Sequence, residues 1–255
     1  MLDITDLGVS YDATAVFDRL ELSLEPGTFT ALVGPNGTGK SSLLKAVAGL
    51  VKAAGDVRFR GQGKLDARQR LEAIAYMPQD AGVSSSLTVL EVILLGRLKS
   101  LGMRVSERLC EEAIEALDRF KLASFHDRTL AEISGGQRQM VYLAQSLFRD
   151  PSVLLLDEPT AALDMRHQLI VLDRVKHHCR ENGTIGISAM HDLSLAARYA
   201  DRMVFLSDGG IVADGPPADV LSSRLLRNTY GVEAEIVRSH NGTLHITPLT
   251  AVGPH

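Results

Sequence analysis

Gly34-Pro-Asn-Gly-Thr-Gly-Lys-Ser41 packs three glycines, a lysine and a hydroxyl into eight residues. Gly34, Gly37 and Gly39 let main-chain N–H groups converge on one point with no Cβ in the way. Such a loop cradles phosphate oxygens. Lys40 supplies a point charge for the β- and γ-phosphates, and the Ser41 hydroxyl is a ligand for Mg²⁺. Ser42 lies one residue deeper and reaches toward the α-phosphate. The spacing is the phosphate-loop pattern G-x-x-x-x-G-K-[ST], and it has the required setting: the buried run FTALV before it and helical periodicity after it. A ligand-free glycine turn is the bland alternative, and that setting argues against it.

Two carboxylates follow a second apolar run, Val153–Leu156. A greasy strand ending in acids suits a metal site at the carboxyl edge of a parallel sheet. Asp157 is placed to hold Mg²⁺. Neighbouring side chains on a strand face opposite ways, so Asp157 and Glu158 serve one site only if the chain leaves strand geometry at Glu158. Pro159 favours that departure. Glu158 is then positioned to orient or deprotonate an attacking water. His191 ends the strand TIGISAM, and Gln79 follows AIAYM and Pro78. Alone, each would more often be structural. Beside a phosphate loop, each sits at a strand end near the γ-phosphate. His177-His178, followed by Cys179, reads as a solvated helix face.

Residues 132–141, EISGGQRQMV, raise a different question. Ser134, Gly135 and Gly136 open an apolar-periodic segment the way a phosphate-gripping loop opens a helix, although one phosphate loop is already present.

The elements that position these residues follow from periodicity. Strands are expected through residues 1–33, a helix over 40–50 with Leu43, Leu44, Val47 and Leu50 on one side, and a strand at Ile74–Met77 stopped by Pro78. Residues 87–150 read as helix-rich, with Ser106 a helix N-cap and Leu109, Ala113, Leu117 and Phe120 at helical spacing. A further helix is expected near 163–181, ending at Asn182-Gly183. Met203–Ser207 and Gly210–Ala213 should form a hairpin across Asp208-Gly209, and EIVRS and TLHIT another across Asn241-Gly242. Strands alternating with helices give an α/β core, and the helical block looks like an insertion into it.

With 255 residues, 45% hydrophobic, the chain is long enough to bury roughly 70–75% of its unfolded surface in a proper core. A formal net charge of −4 gives no pull toward nucleic acid. Cys110 and Cys179 lack metal-ligand spacing, and a reducing compartment suits them. The acidic, alternating N-terminus is unlike a signal peptide, and no apolar run approaches the ~18–20 residues of a membrane span. A cytoplasmic protein is expected.

In this order the pieces resemble the ATP-binding cassette (ABC) ATPases, over nearly the whole chain. Tyr11 matches the family's adenine-stacking aromatic. GPNGTGKS is similar to the Walker A loop, and Gln79 to the Q-loop glutamine. Ile133-Ser-Gly-Gly-Gln137 is similar to the signature motif, usually LSGGQ, and VLLLDE to Walker B. Ala162-Leu163-Asp164 resembles the D-loop and His191 the switch histidine. The resemblance implies an α/β fold with a P-loop NTPase core, an N-terminal antiparallel β-subdomain and an inserted helical subdomain. One ABC ATPase domain would span 1–255: a nucleotide-binding core at about 1–86 and 151–232, a helical subdomain at about 87–150, and a hairpin tail at about 233–255.

It also implies ATP and Mg²⁺. Lys40, Gln79, Glu158 and His191 would be catalytic, with Ser41, Gln79 and Asp157 at the metal. Nucleotide would be bound by Tyr11, Gly34, Pro35, Asn36, Gly37, Thr38, Gly39, Lys40, Ser41 and Ser42, and by Ser134, Gly135, Gly136, Gln137 and Asp164. In the family two cassettes bind head to tail, and the signature loop of one covers the γ-phosphate held by the other. That would explain the second loop, since a helix N-terminus is a ready anion site. Three positions depart from the family's habit: Ile133 replaces Leu, Ala161 stands where Ser is common, and Gln145 where many members have Arg.

SSLTVLEVILLGR, ALDMRHQL, MHDLSLAARYADRMVFLSDGGIVADGPPADVL and the tail hairpin are similar to the ATPases of ferric-siderophore, haem and cobalamin importers. This implies a homodimeric ATPase subunit, peripheral on the cytoplasmic face of the inner membrane. It would work with separate permease subunits and, indirectly, a substrate-binding protein, and not with nucleic acid. An iron-siderophore or similar metal chelate is the expected cargo, with haem, cobalamin or another small substrate as alternatives. A non-transport ABC ATPase is the alternative of another class, but its long coiled-coil insertion or tandem cassettes are not seen. A non-hydrolysing regulatory module is opposed by Glu158.

Overall fold

Strand β1 (Leu2–Tyr11) buries Leu2, Ile4, Leu7 and Val9. Its period-2 alternation slips by one residue at Asp6, where φ is 49° and the register shifts. β1 pairs antiparallel with β2 (Thr14–Leu24) on one side. On its other side lies β4 (Ala54–Phe59), giving the order β2-β1-β4. Between β2 and β4 come β3 (Phe29–Val33) and α1 (Lys40–Ala48), and α2 (Ala67–Ala73) follows β4. The computed structural model describes residues 1–12, 14–59, 61, 63–79, 85–97, 105–240 and 242–252.

β3 belongs to a second sheet with β5 (Ile74–Met77), β6 (Val153–Asp157), β7 (Ile185–Ala189), β8 (Arg202–Ser207) and β9 (Gly210–Gly215). The order is β5-β6-β7-β3-β8-β9, parallel throughout except for antiparallel β9 at the edge. Every residue of β3, β6 and β7 is buried, because both faces of the sheet are covered. Along β6, Val153 and Leu155 pack toward α1 and the antiparallel sheet. Leu154 and Leu156 pack into the helical side of the core.

The helical side is built from α3 (Val89–Leu95), α4 (Glu107–Asp118), α5 (Gly135–Phe148) and α6 (Met165–Asn182). Ser106 caps α4 through Leu109 N at 3.3 Å, as expected, and Leu109, Ala113, Leu117 and Phe120 are buried. Gln145 has a structural job. Its Nε2 donates to Val92 O at 2.9 Å, tying α5 to α3 by a neutral hydrogen bond. Arg97 adds a second tie, donating to Phe148 O at 2.8 Å and to Glu112 at 2.7 Å.

Two expectations need correction. α1 stops at Ala48, where Gly49 adopts φ 77°, so Leu50 lies beyond the helix and is 61% exposed. His178 is not on a solvated face. Its side chain is 10% exposed in a groove beside Asp150, while His177 is exposed. Cys110 and Cys179 are both free.

After α7 (Leu193–Tyr199), the β8–β9 hairpin turns through Asp208 (φ 49°) and Gly209 (φ 74°), a pair of left-handed residues suited to the strand twist. α8 (Pro217–Val220) and α9 (Ser223–Tyr230) lead to the tail, where β10 (Val232–Arg238) pairs antiparallel with β11 (Leu244–Ala251). β10 starts earlier and β11 ends later than the expected EIVRS and TLHIT, while Ser239 and Thr243 at the turn fall outside both strands. Ser239 N bonds Thr243 O at 2.9 Å across the turn, and Asn241 lies outside the described residues. The tail rests on α7, with Ile246 N donating to Ser194 Oγ at 3.0 Å. No helix among the described residues is long and apolar enough to cross a membrane.

Candidate nucleotide site

Four neighbouring strands deliver the candidate residues to one edge of the sheet. β5, β6, β7 and β3 lie side by side, and their carboxyl ends lead to Gln79, to Asp157-Glu158, to His191 and to the glycine loop.

The loop needs its glycines. Gly34 has φ 152°, and a Cβ there would lie 2.2 Å from Leu206 O. Gly39, with φ 94°, precedes α1, and a Cβ there would meet the Phe17 ring at 2.4 Å. Lys40 is 6% exposed and donates to Gly34 O at 2.6 Å and Pro35 O at 2.9 Å. Burial pulls its pKa below the ordinary lysine value, while Glu158 and Asp157 pull the other way. Thr38 Oγ1 braces the loop by donating to Pro35 O at 2.9 Å.

Asp157, 2% exposed, accepts from Ser41 Oγ at 2.8 Å and from the Tyr76 hydroxyl at 3.2 Å. Burial, then the Asp157 charge, pushes the Tyr76 phenol well above its usual range, so it stays a proton donor. Ser41, Asp157 and the Gln79 amide offer hard oxygens beside the lysine, and that donor set fits Mg²⁺.

Glu158 leaves strand geometry, as Pro159 led us to expect: its φ is 52°. Its N–H donates to Ala189 O at 3.2 Å, and its carbonyl accepts from Ala161 N at 3.3 Å and from Gln139 Nε2 at 3.0 Å. Its carboxylate accepts from Gln79 Nε2 at 2.8 Å and meets His191 Nε2 with its other oxygen. Both carboxylates therefore turn to the same site. Tyr11, 46% exposed, accepts from Ser42 Oγ at 3.3 Å. A cleft of about 620 Å³ is lined by Tyr11, Asn36, Gly37, Gly39, Lys40, Ser41, Ser42, Gln79, Glu158 and His191, among others. Gly34 and Asp157 are buried.

The remaining candidates gather elsewhere. Ser134 caps α5 in a reciprocal box: its Oγ accepts from Gln137 N at 3.2 Å, and Gln137 Oε1 accepts from Ser134 N at 2.8 Å. The Gly135 and Gly136 N–H groups, at the first two helical positions, have no intrahelical acceptor. Gly135 is exposed. Gly136 passes close to the D-loop segment, where a Cβ would lie 3.2 Å from Ala162 O. Asp164 caps α6 through His167 N at 2.9 Å, and that bond holds its carboxyl below the usual range. Ser134, Gly136, Gln137 and Asp164 line a separate recess of about 520 Å³ that shares no residue with the first cleft.

Two residues escaped the sequence reading. Tyr76 looked like an ordinary strand aromatic, and Gln139 like one more helix residue. The missed signal for Gln139 was a polar side chain on the inward stripe of α5, beside buried Met140 and Leu143.

A phosphate loop after β3 and two carboxylates at the end of β6, with β7 between the two strands in one parallel sheet, define a P-loop NTPase. Residues 17–161 match the family described as ABC transporter, and the chain belongs to that family, carrying its ATPase cassette. It is 36% identical over 252 residues to a cobalamin import ATP-binding protein, BtuD, of Halobacterium salinarum, covering 97% of this chain and 63% of that one. The chain thus spans less than two thirds of that relative's length. It is 39% identical over 246 residues to a hemin import ATP-binding protein, HmuV, of Streptomyces coelicolor, covering 95% and 88%. Among solved structures, it resembles a metal-chelate type ABC transporter in an inward-facing conformation, with a TM-score of 0.82, 25% identity and 98% and 97% coverage. A dimeric ATP-binding cassette in a post-hydrolysis state with ADP and Pi gives a TM-score of 0.77 at 26% identity, covering 85% and 99%.

Proposed function

We propose that this chain is the ATP-hydrolysing subunit of an importer, working as a head-to-tail homodimer beneath separate permease subunits. The observation that carries the reading is the meeting of Lys40, Ser41, Asp157, Gln79, Glu158 and His191 at four adjacent strand ends. Lys40 and the loop N–H groups bind the β- and γ-phosphates, and Tyr11 flanks the base. Ser41, Gln79 and Asp157 would hold Mg²⁺, which supplies charge neutralisation to the phosphate oxygens. Glu158 orients a water and takes its proton as the water oxygen attacks the γ-phosphorus, so that ADP and phosphate leave. His191 sits against Glu158 and stabilises the γ-phosphate. The recess at Ser134, Gly135, Gly136, Gln137 and Asp164 meets the γ-phosphate bound to the other copy.

The names of the relatives support an importer of haem, cobalamin or a metal chelate, and an iron-siderophore or similar chelate is the cargo we propose within that class. The subunit would lie on the cytoplasmic face of the membrane, served indirectly by a substrate-binding protein. Glu158→Gln should still bind ATP, hydrolyse it roughly 10²–10⁴-fold more slowly, and accumulate as an ATP-held dimer. Unchanged turnover would remove Glu158 from its role. Co-purification from membranes with a permease, and uptake of labelled chelate into vesicles, tests transport. Recovery of ribosomes or chromosomal DNA instead would favour a non-transport cassette.

A further inference from the structure

Gln139 is a buried amide on the inward face of α5, 6% exposed. Its Nε2 crosses from α5 to the end of β6 and donates to the Glu158 carbonyl at 3.0 Å. Its Oε1 is buried without a hydrogen-bond partner. Such a half-satisfied amide is a poor choice for stability, since an apolar residue of the same shape leaves nothing unpaired. The one bond it makes lands on a backbone already held in an uncommon state, the left-handed φ of 52° at Glu158. The peptide groups flanking Glu158 are pinned on one side by Ala189 O and on the other by Ala161 N and Gln139. Ala161 lies on the same turn as Glu158. Gln139 is the tie that comes from α5, the helix whose first turn is the Ser134–Gly136 loop.

We infer that Gln139 is a positioning residue that fixes the Glu158 backbone and links the signature helix to the aim of the catalytic carboxylate. The inference rests on the reading of Glu158 as the group that orients water. A shift of α5 along its axis is transmitted through one side chain to the carbonyl of Glu158. Engagement of the α5 N-terminus by a nucleotide on a second copy therefore bears on the water-orienting carboxylate of this chain. Sub-ångström misplacement of such a group is enough to slow chemistry.

The test uses full-length protein carrying Gln139→Met, which keeps length and shape and removes both polar atoms. Its melting temperature should equal or exceed that of the parent, its KM for ATP should stay within about twofold, and its kcat should fall about ten- to a hundredfold. A structural role would instead lower the melting temperature. In the Glu158→Gln background, Gln139→Met should change residual turnover by less than about twofold, because the residue it acts through has already lost its function. Gln139→Glu guards against a misfolded Met variant. Its carboxyl donates only when protonated, so its kcat relative to the parent should rise as pH falls. Parental kcat in Gln139→Met, or an equal loss with and without Glu158, overturns the inference. If Glu158→Gln itself turns over normally, the underlying reading falls first. If Glu158→Gln is slow and Gln139→Met is fast, only the link falls.

Discussion

Asp157 and Glu158 are adjacent in sequence yet held by different means. Asp157 ends its strand buried between two hydroxyls, and Glu158 turns out of the strand to meet an amide and an imidazole. That division was legible, because alternation along a strand forbids two neighbours from sharing a site unless the backbone breaks, and Pro159 marks the break. The Tyr76 hydroxyl was not legible, because tyrosine is also a common strand residue and nothing local announces a partner 81 positions away. Tyr76→Phe removes one of the donors on a buried carboxylate and leaves the phosphate loop intact. We expect the Mg²⁺ concentration for half-maximal turnover to shift several-fold, with metal-free nucleotide affinity unchanged. A magnesium titration of the two proteins reads this directly.

Periodicity located helices and strands well and their ends less well. The 40–50 stripe ran on to Leu50 because leucine fits the pattern, but Gly49 reverses the chain one residue earlier. The helix carrying His177 and His178 was read as solvated because both side chains are polar. Packing of α6 against the helical block instead turns His178 inward, where its Nε2 lies 4.0 Å from Asp150 Oδ1. Burial holds its pKa below the ordinary 6.5, opposed by Asp150 and reinforced by Arg119 and His177. The fold thus favours neutral His178, whereas the unfolded chain takes up a proton near the ordinary value. The resulting stability is present above pH 6.5 and is lost as pH falls through the lowered folded value. His178→Gln should show a shallower fall of melting temperature below about pH 6.5, with little change above it, in thermal scans across pH.

At the scale of the whole molecule, the candidate residues fall into two clefts that share no lining residue. The family was legible in the order of the motifs. The separation of the clefts was not, since spacing along the chain says nothing about which side of the sheet edge a loop will face. We expect Ser134→Arg to leave ATP binding by the single chain intact and to abolish nucleotide-dependent dimerisation, measured by fluorescent-nucleotide titration beside light scattering. Lost binding by the single chain would mean that the second loop serves its own nucleotide. The far end of the chain has its own consequence. Its last hairpin props α7, the helix that begins two residues after His191. Loss of the hairpin therefore removes a prop from the helix that follows the histidine. A molecule clipped there would also uncover the core that buries Ala234 and Leu244, so one cut loosens the histidine's footing and opens a flank of the fold.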